Sequence, residues 1–187
     1  MGVIVGAAGA VLLAALAWWI VSTINRLVRL RNQTQASWAQ IDVQLKRRHD
    51  LIPNLVETTK AYAEHERDTL DAVTLARGNA ATQSLTTADR AQAEGVLSQS
   101  LGKLLALAES YPNLKADQRF ARLQSELTSA EDKIAYARQF YNSAVQSYNT
   151  AQETFPGNVV AGLGAHGRRE YFEADAAVQD PIEVRFA

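Results

Sequence analysis

The chain has 187 residues, with 19 Lys/Arg, 20 Asp/Glu, 3 His and no Cys, and a formal net charge of −1. The missing cysteine excludes disulfides, thiolate metal sites and thiol nucleophiles. The near-balanced charge, with a pI of about 6.3, argues against the concentrated basic face of a nucleic-acid binder, so no nucleic-acid partner is expected.

Gly2 to Ile24 carry no charged side chain, and the first charges after them are Arg26, Arg29 and Arg31. A helix of that length reaches about 35 Å, enough to cross a bilayer with some tilt. A cleaved secretory leader would begin with a basic region, and none precedes the apolar run. The expectation is therefore a retained single-pass anchor over residues 1–24. The arginines on its C-terminal side place the N-terminus outside and the bulk of the chain in the cytoplasm. Trp18 and Trp19 fall where interfacial aromatics concentrate. Gly2, Gly6, Ala10 and Ala14 recur every four residues and make a small-residue face that suits close membrane-helix packing.

From Asn25 to Lys60 there are seven Lys/Arg against three Asp/Glu, leaving twelve against seventeen in the rest of the chain. A basic zone next to the anchor suits attraction to anionic lipid headgroups, so membrane lipids are an expected partner. Trp38, Ile41, Leu45, Arg48, Ile52, Leu55, Thr59 and Tyr62 alternate at spacings of three and four straight across Pro53. Continuity of phase suggests one kinked helix. Asp50, however, can cap a new helix whose first turn tolerates Pro53. A break at Pro53 is preferred, because it supplies a fourth segment to bury the seam on Trp38, Ile41 and Leu45.

A further helix is predicted from about Thr87 to Ser110, with Leu97, Leu101, Leu104 and Ala108 on its apolar face. Tyr111-Pro112-Asn113 makes the turn out of it. The clearest segment runs from Ala116 to Thr154, with a heptad seam on Phe120, Leu123, Leu127, Ala130, Ile134, Ala137, Tyr141, Ala144, Tyr148, Ala151 and Phe155. Asn113 is the expected cap and Pro156-Gly157 the stop. The glycines after Phe155 predict irregular structure and an extended tail, either docked or free for a partner. The fold class expected is all-α. A transmembrane helix (1–24) leads into a long antiparallel up-and-down four-helix bundle with coiled-coil-like packing (25–155), then an irregular tail (156–187).

Several separated blocks carry a resemblance. Trp38-Ala39-Gln40-Ile41-Asp42 leads into Leu45-Lys46-Arg47-Arg48-His49-Asp50-Leu51-Ile52-Pro53-Asn54-Leu55, and Tyr111-Pro112-Asn113-Leu114-Lys115-Ala116 follows. After these come Phe140-Tyr141-Asn142, Tyr148-Asn149-Thr150 and Phe155-Pro156-Gly157-Asn158. Together, and in this order, they resemble the signature of LemA family proteins from the anchor to about Phe172. The resemblance implies a single-pass bacterial membrane protein with a helical bundle and no established catalytic activity. Some proteins of this kind are encoded beside a membrane zinc metalloprotease, which makes a membrane protease or another membrane protein an alternative partner.

Little in the chain suggests chemistry. His49-Asp50 matches a pair used by metal phosphohydrolases, but only His65 and His166 remain to complete a site that needs three or four ligands. Glu64-His65-Glu66 lacks the second histidine of a metalloprotease helix, since Thr69 stands in its place. No catalytic residue, metal ligand or cofactor is therefore assigned. Lys46, Arg47, Arg48, His49 and Asp50 are expected to form a polar turn or recognition patch. Arg48 falls on the apolar seam, where a charge is costly unless paired, so an acidic partner is predicted on a facing helix or another protomer. Asp42 and Asn54 are expected in the same polar network. The function expected is a non-enzymatic, self-associating scaffold that organises or shapes membrane assemblies, with an adaptor of a membrane protease as the alternative.

Overall fold

The computed structural model describes residues 2–163 and 167–173. Helices account for nearly all of them, in the order α1 (Gly2–Lys60), α2 (Arg67–Ala80), α3 (Thr87–Ala108), α4 (Pro112–Lys115), α5 (Gln118–Glu153) and α6 (Gly157–Leu163), and no strand occurs among the described residues.

The expected break at Pro53 does not occur. Helix α1 continues through it to Lys60, and the chain leaves the helix at Ala61 instead. Burial keeps its phase across the proline, with Ile41, Leu45, Arg48, Ile52, Leu55 and Thr59 all buried while Pro53 faces outward. An outward proline forfeits one backbone hydrogen bond but leaves the apolar stripe undisturbed. Lys46 to Asp50 are accordingly helical, not a turn.

Two compact units divide the chain. The first comprises Met1–Gln40 and Gln139–Glu170, the second Ile41–Arg138 and Tyr171–Ala187. The second unit holds a hydrophobic core of Ile52 and Leu55 from α1, Leu70, Val73 and Ala76 from α2, Leu97, Leu101 and Leu104 from α3, Leu114 from α4, and Phe120 and Leu127 from α5. The apolar stripes of α2 and α3 recur at three- and four-residue spacing, which places them on one face of each helix. Thr86 caps α3, its side chain accepting from the Asp89 amide. Asn113 lies inside α4 rather than capping the long helix. Asp117 does that work: its Oδ1 accepts from the amides of Arg119 at 2.7 Å and Phe120 at 3.0 Å.

In the first unit Leu27, Thr34 and Ser37 of α1 and Tyr141, Ala144, Val145, Tyr148, Asn149 and Ala151 of α5 are buried. Trp38 meets Tyr141 with ring centroids 5.3 Å apart, and Trp19 meets Phe155 at the same separation. The α5 seam is buried as its heptad spacing predicts, except that Leu123 is half-buried and Phe155 is 72% exposed. Gly157 opens a seven-residue helix where irregular chain is expected. A Cβ there would lie 1.7 Å from the Ala151 carbonyl oxygen, so the glycine is needed for close approach to α5 rather than for flexibility. Gly167–Glu170 runs without helix and is tied to α5 by side chains. The Asn149 amide donates to Arg169 O at 2.9 Å and accepts from Arg169 N at 3.0 Å, while Tyr141 Oη donates to Glu170 O at 3.0 Å. The tail beyond residue 173 lies outside the described residues.

Candidate functional site: a buried arginine–glutamate layer

Arg48 sits toward the C-terminal end of α1, on its apolar stripe, and is 1% exposed. A guanidinium there is tolerable only with charged partners, because an unpaired buried charge costs several kcal/mol. The partners come from α3 and α5. Arg48 Nη2 is paired with the Glu94 carboxylate and Nη1 with that of Glu131. Nη1 also donates to Ser98 Oγ at 2.7 Å, and Ser98 Oγ lies 3.4 Å from Glu131 Oε1. Glu94 is itself buried, whereas the Glu131 side chain is 38% exposed. His49 Nε2 lies 3.0 Å from Glu94 Oε1, within ion-pair reach but off hydrogen-bond alignment.

The acidic partner predicted for Arg48 is thus present twice, within the same chain. Glu94 was legible in principle. Stepping back three residues from Leu97 along the α3 stripe lands on it, a second charge at a seam position. Glu131 follows the seam residue Ala130 and carries no such signal. Asp42 does not join this layer. It pairs with Arg90 at 2.6 Å. Nor does Asn54, which lines an open cavity of about 540 Å³ with Glu57, Tyr62, Asp117, Arg119 and Arg122. In that cavity Tyr62 Oη donates to Asp117 Oδ2 at 2.8 Å. This bond raises the Tyr62 pKa, and the Phe120 amide followed by the Tyr62 hydroxyl lowers that of Asp117. Arg47 reaches Glu126 at 3.9 Å and Asp50 is exposed. Gly2, Gly6, Ala10 and Ala14 are exposed, and a Cβ at Gly2 or Gly6 would meet nothing within 4 Å.

Among the described residues no group of three or more His, Cys, Asp or Glu converges as metal ligands would. The layer offers one guanidinium to two carboxylates already bound to it, so its chemistry is that of fixing one helix register against others.

The LemA family model matches residues 37–186, a span that contains every member of this layer. The chain belongs to the LemA family. Magnetosome protein MamQ 2 of Paramagnetospirillum magneticum is 27% identical over 183 residues, covering 84% of this chain and 67% of that protein. MamQ of Magnetospirillum gryphiswaldense is 25% identical over the same shares. Protein LemA of Metamycoplasma hominis is 26% identical over 137 residues, or 73% of this chain and 63% of that protein. The motifs that carry the LemA resemblance map onto distinct structural tasks here. Arg48, His49 and Pro53 belong to the buried layer and its flank, Asn149 ties down the segment at Arg169, and Gly157 packs on Ala151.

Proposed function

We propose that this LemA-family chain is a membrane-anchored helical scaffold, without catalytic activity, that self-associates at the bacterial plasma membrane and organises membrane assemblies. The observation that carries the reading is the apolar start of α1. It is long and apolar enough to cross a membrane, and little of it is buried within the chain. Leu12, Leu13 and Trp18 are each about 70% exposed, a surface that water would penalise heavily and lipid would not. The Trp19–Phe155 and Trp38–Tyr141 pairs support an up-and-down arrangement of α1 and α5. The name of the MamQ relatives, magnetosome proteins, supports a role in a membrane-bound assembly. Arg26, Arg29 and Arg31 support a cytoplasmic body.

Light scattering of the full chain in detergent tests self-association. We expect complexes heavier than the 20.5 kDa protomer. Gly6→Leu and Ala10→Leu are expected to dissociate them, since the structure gives Gly6 no neighbour of its own to disturb. A monomer at every concentration would overturn the scaffold. A stoichiometric protease recovered by crosslinking would favour an adaptor instead.

A further inference from the structure

Within the first unit, α1 and the end of α5 enclose a groove of about 450 Å³ lined by Arg26, Leu30, Gln146, Ser147, Thr150 and Thr154, among others. Two independent observations say what fits it. The first is depth. Phe155, directly after Thr154, meets the Trp19 ring at a tilt, and Trp19 lies inside the uncharged run from Gly2 to Ile24. Arg26 follows Trp19 by seven residues, about 10 Å along a helix, which sets the groove in the headgroup zone when α1 spans a bilayer. Phe155 and Val159 are 72% and 56% exposed. Beside Trp19, Phe155 faces the interface rather than water.

The second observation is chemistry. Arg26 has no ion-pair partner among the described residues, and its guanidinium and the Gln146 amide are donors suited to a phosphate. Ser147 Oγ and Thr154 Oγ1 already donate to the carbonyls of Ser143 at 2.9 Å and Thr150 at 2.8 Å. The Ser147 lone pairs are left to accept from hydroxyl groups. Donors for a phosphate beside acceptors for a polyol, at headgroup depth, describe one ligand class.

We infer that this groove is a binding site for the headgroup of an anionic phospholipid, with Arg26 and Gln146 on the phosphodiester and Ser147, farther from Trp19 along α5, on a glycerol-type headgroup. The inference rests on the anchored reading of α1. The site gives the protein a preference for particular lipids that a bare apolar helix lacks.

The test titrates short-chain phosphatidylglycerol, phosphatidylcholine or inorganic phosphate into the detergent-solubilised full chain and follows tryptophan fluorescence. We expect saturable binding of phosphatidylglycerol about tenfold tighter than that of phosphatidylcholine, reduced about tenfold in Arg26→Gln. Arg29→Gln, just outside the groove, is expected to stay within about twofold of the parent, as a screened surface charge does. Ser147→Ala, which removes the acceptor, should weaken phosphatidylglycerol while sparing inorganic phosphate. Equal binding of the two lipids, or an equal loss in Arg29→Gln, would overturn the site. Inorganic phosphate binding as tightly as phosphatidylglycerol would make it a free-anion site and overturn the lipid assignment. Carbonate extraction of the protein from vesicles separates the two levels: release means that the anchor fails, whereas retention without lipid preference removes the groove alone.

Discussion

Arg77 donates from Nε to the carbonyl oxygen of His49 at 2.8 Å, and Pro53 is the reason that oxygen is available. In an unbroken helix the His49 carbonyl would accept from the amide four residues on. Position 53 has no amide hydrogen, so the carbonyl inside α1 would be orphaned. A side chain from α2 satisfies it, which explains how the helix runs through its proline.

This substitution of one donor for another is measurable as a coupling. Arg77→Met should destabilise the chain by about 1.5–3 kcal/mol, the worth of a hydrogen bond from a charged donor. In a Pro53→Ala background the restored amide competes for the same oxygen, and the cost should fall to less than half. Additive losses in a double-mutant cycle of thermal melts would show that the two residues are not linked.

The Arg48 layer makes a second, larger prediction. Glu94→Ala leaves a buried guanidinium with one partner fewer and should cost about 3–5 kcal/mol, while Arg48→Met leaves Glu94 uncompensated at a similar cost. Glu131→Ala should cost about 1 kcal/mol or less, because its carboxylate reaches solvent. The double variant Arg48→Met/Glu94→Met should regain most of the loss. An Arg48→Met chain as stable as the parent would dismiss the layer as a structural determinant.

Asn149 is 3% exposed and holds both backbone groups of Arg169. Asn149→Asp keeps the acceptor but sets a carboxylate oxygen against the Arg169 carbonyl. It should cost about 2–3 kcal/mol and expose the Gly167–Glu170 segment to limited proteolysis. An unchanged cleavage pattern would mean that other contacts hold that segment.

The Asp117 cap gives a pH dependence of definite sign. Its pKa lies below the ordinary 3.8, through bonds from the Phe120 amide and the Tyr62 hydroxyl. Its stabilisation is therefore complete above that ordinary value and lost as pH falls through the lowered one. Tyr62, raised above 10.0 mainly by its bond to Asp117, contributes fully below 10.0 and loses that contribution as pH rises through the raised value. Asp117→Asn retains a cap but should flatten the acid limb of melting temperature against pH, and it should shorten the alkaline one. Identical profiles in the two proteins would remove Asp117 as the titrating group.

Residue spacing alone determined the all-helical class, the apolar start of α1, the limits of α3 within a few residues and nearly the whole α5 seam. Those features follow from local pattern, an unbroken apolar run for the start of α1 and a helical repeat every few residues for the rest. It also marked Arg48 as a charge needing a partner. The tertiary structure decided where the first helix ends and who the partners are. Pro53 reads as a breaker, yet α1 passes it because Arg77, 24 positions later in sequence, meets the freed carbonyl. The true exit at Ala61–Glu66 contains neither proline nor glycine. There the burial of Leu70, Val73 and Ala76 in the common core overrides local helix preference. Likewise, the packing of α3 and α5 brings Glu94 and Glu131 to one guanidinium. Such pairings join residues distant in sequence, and no local pattern encodes them.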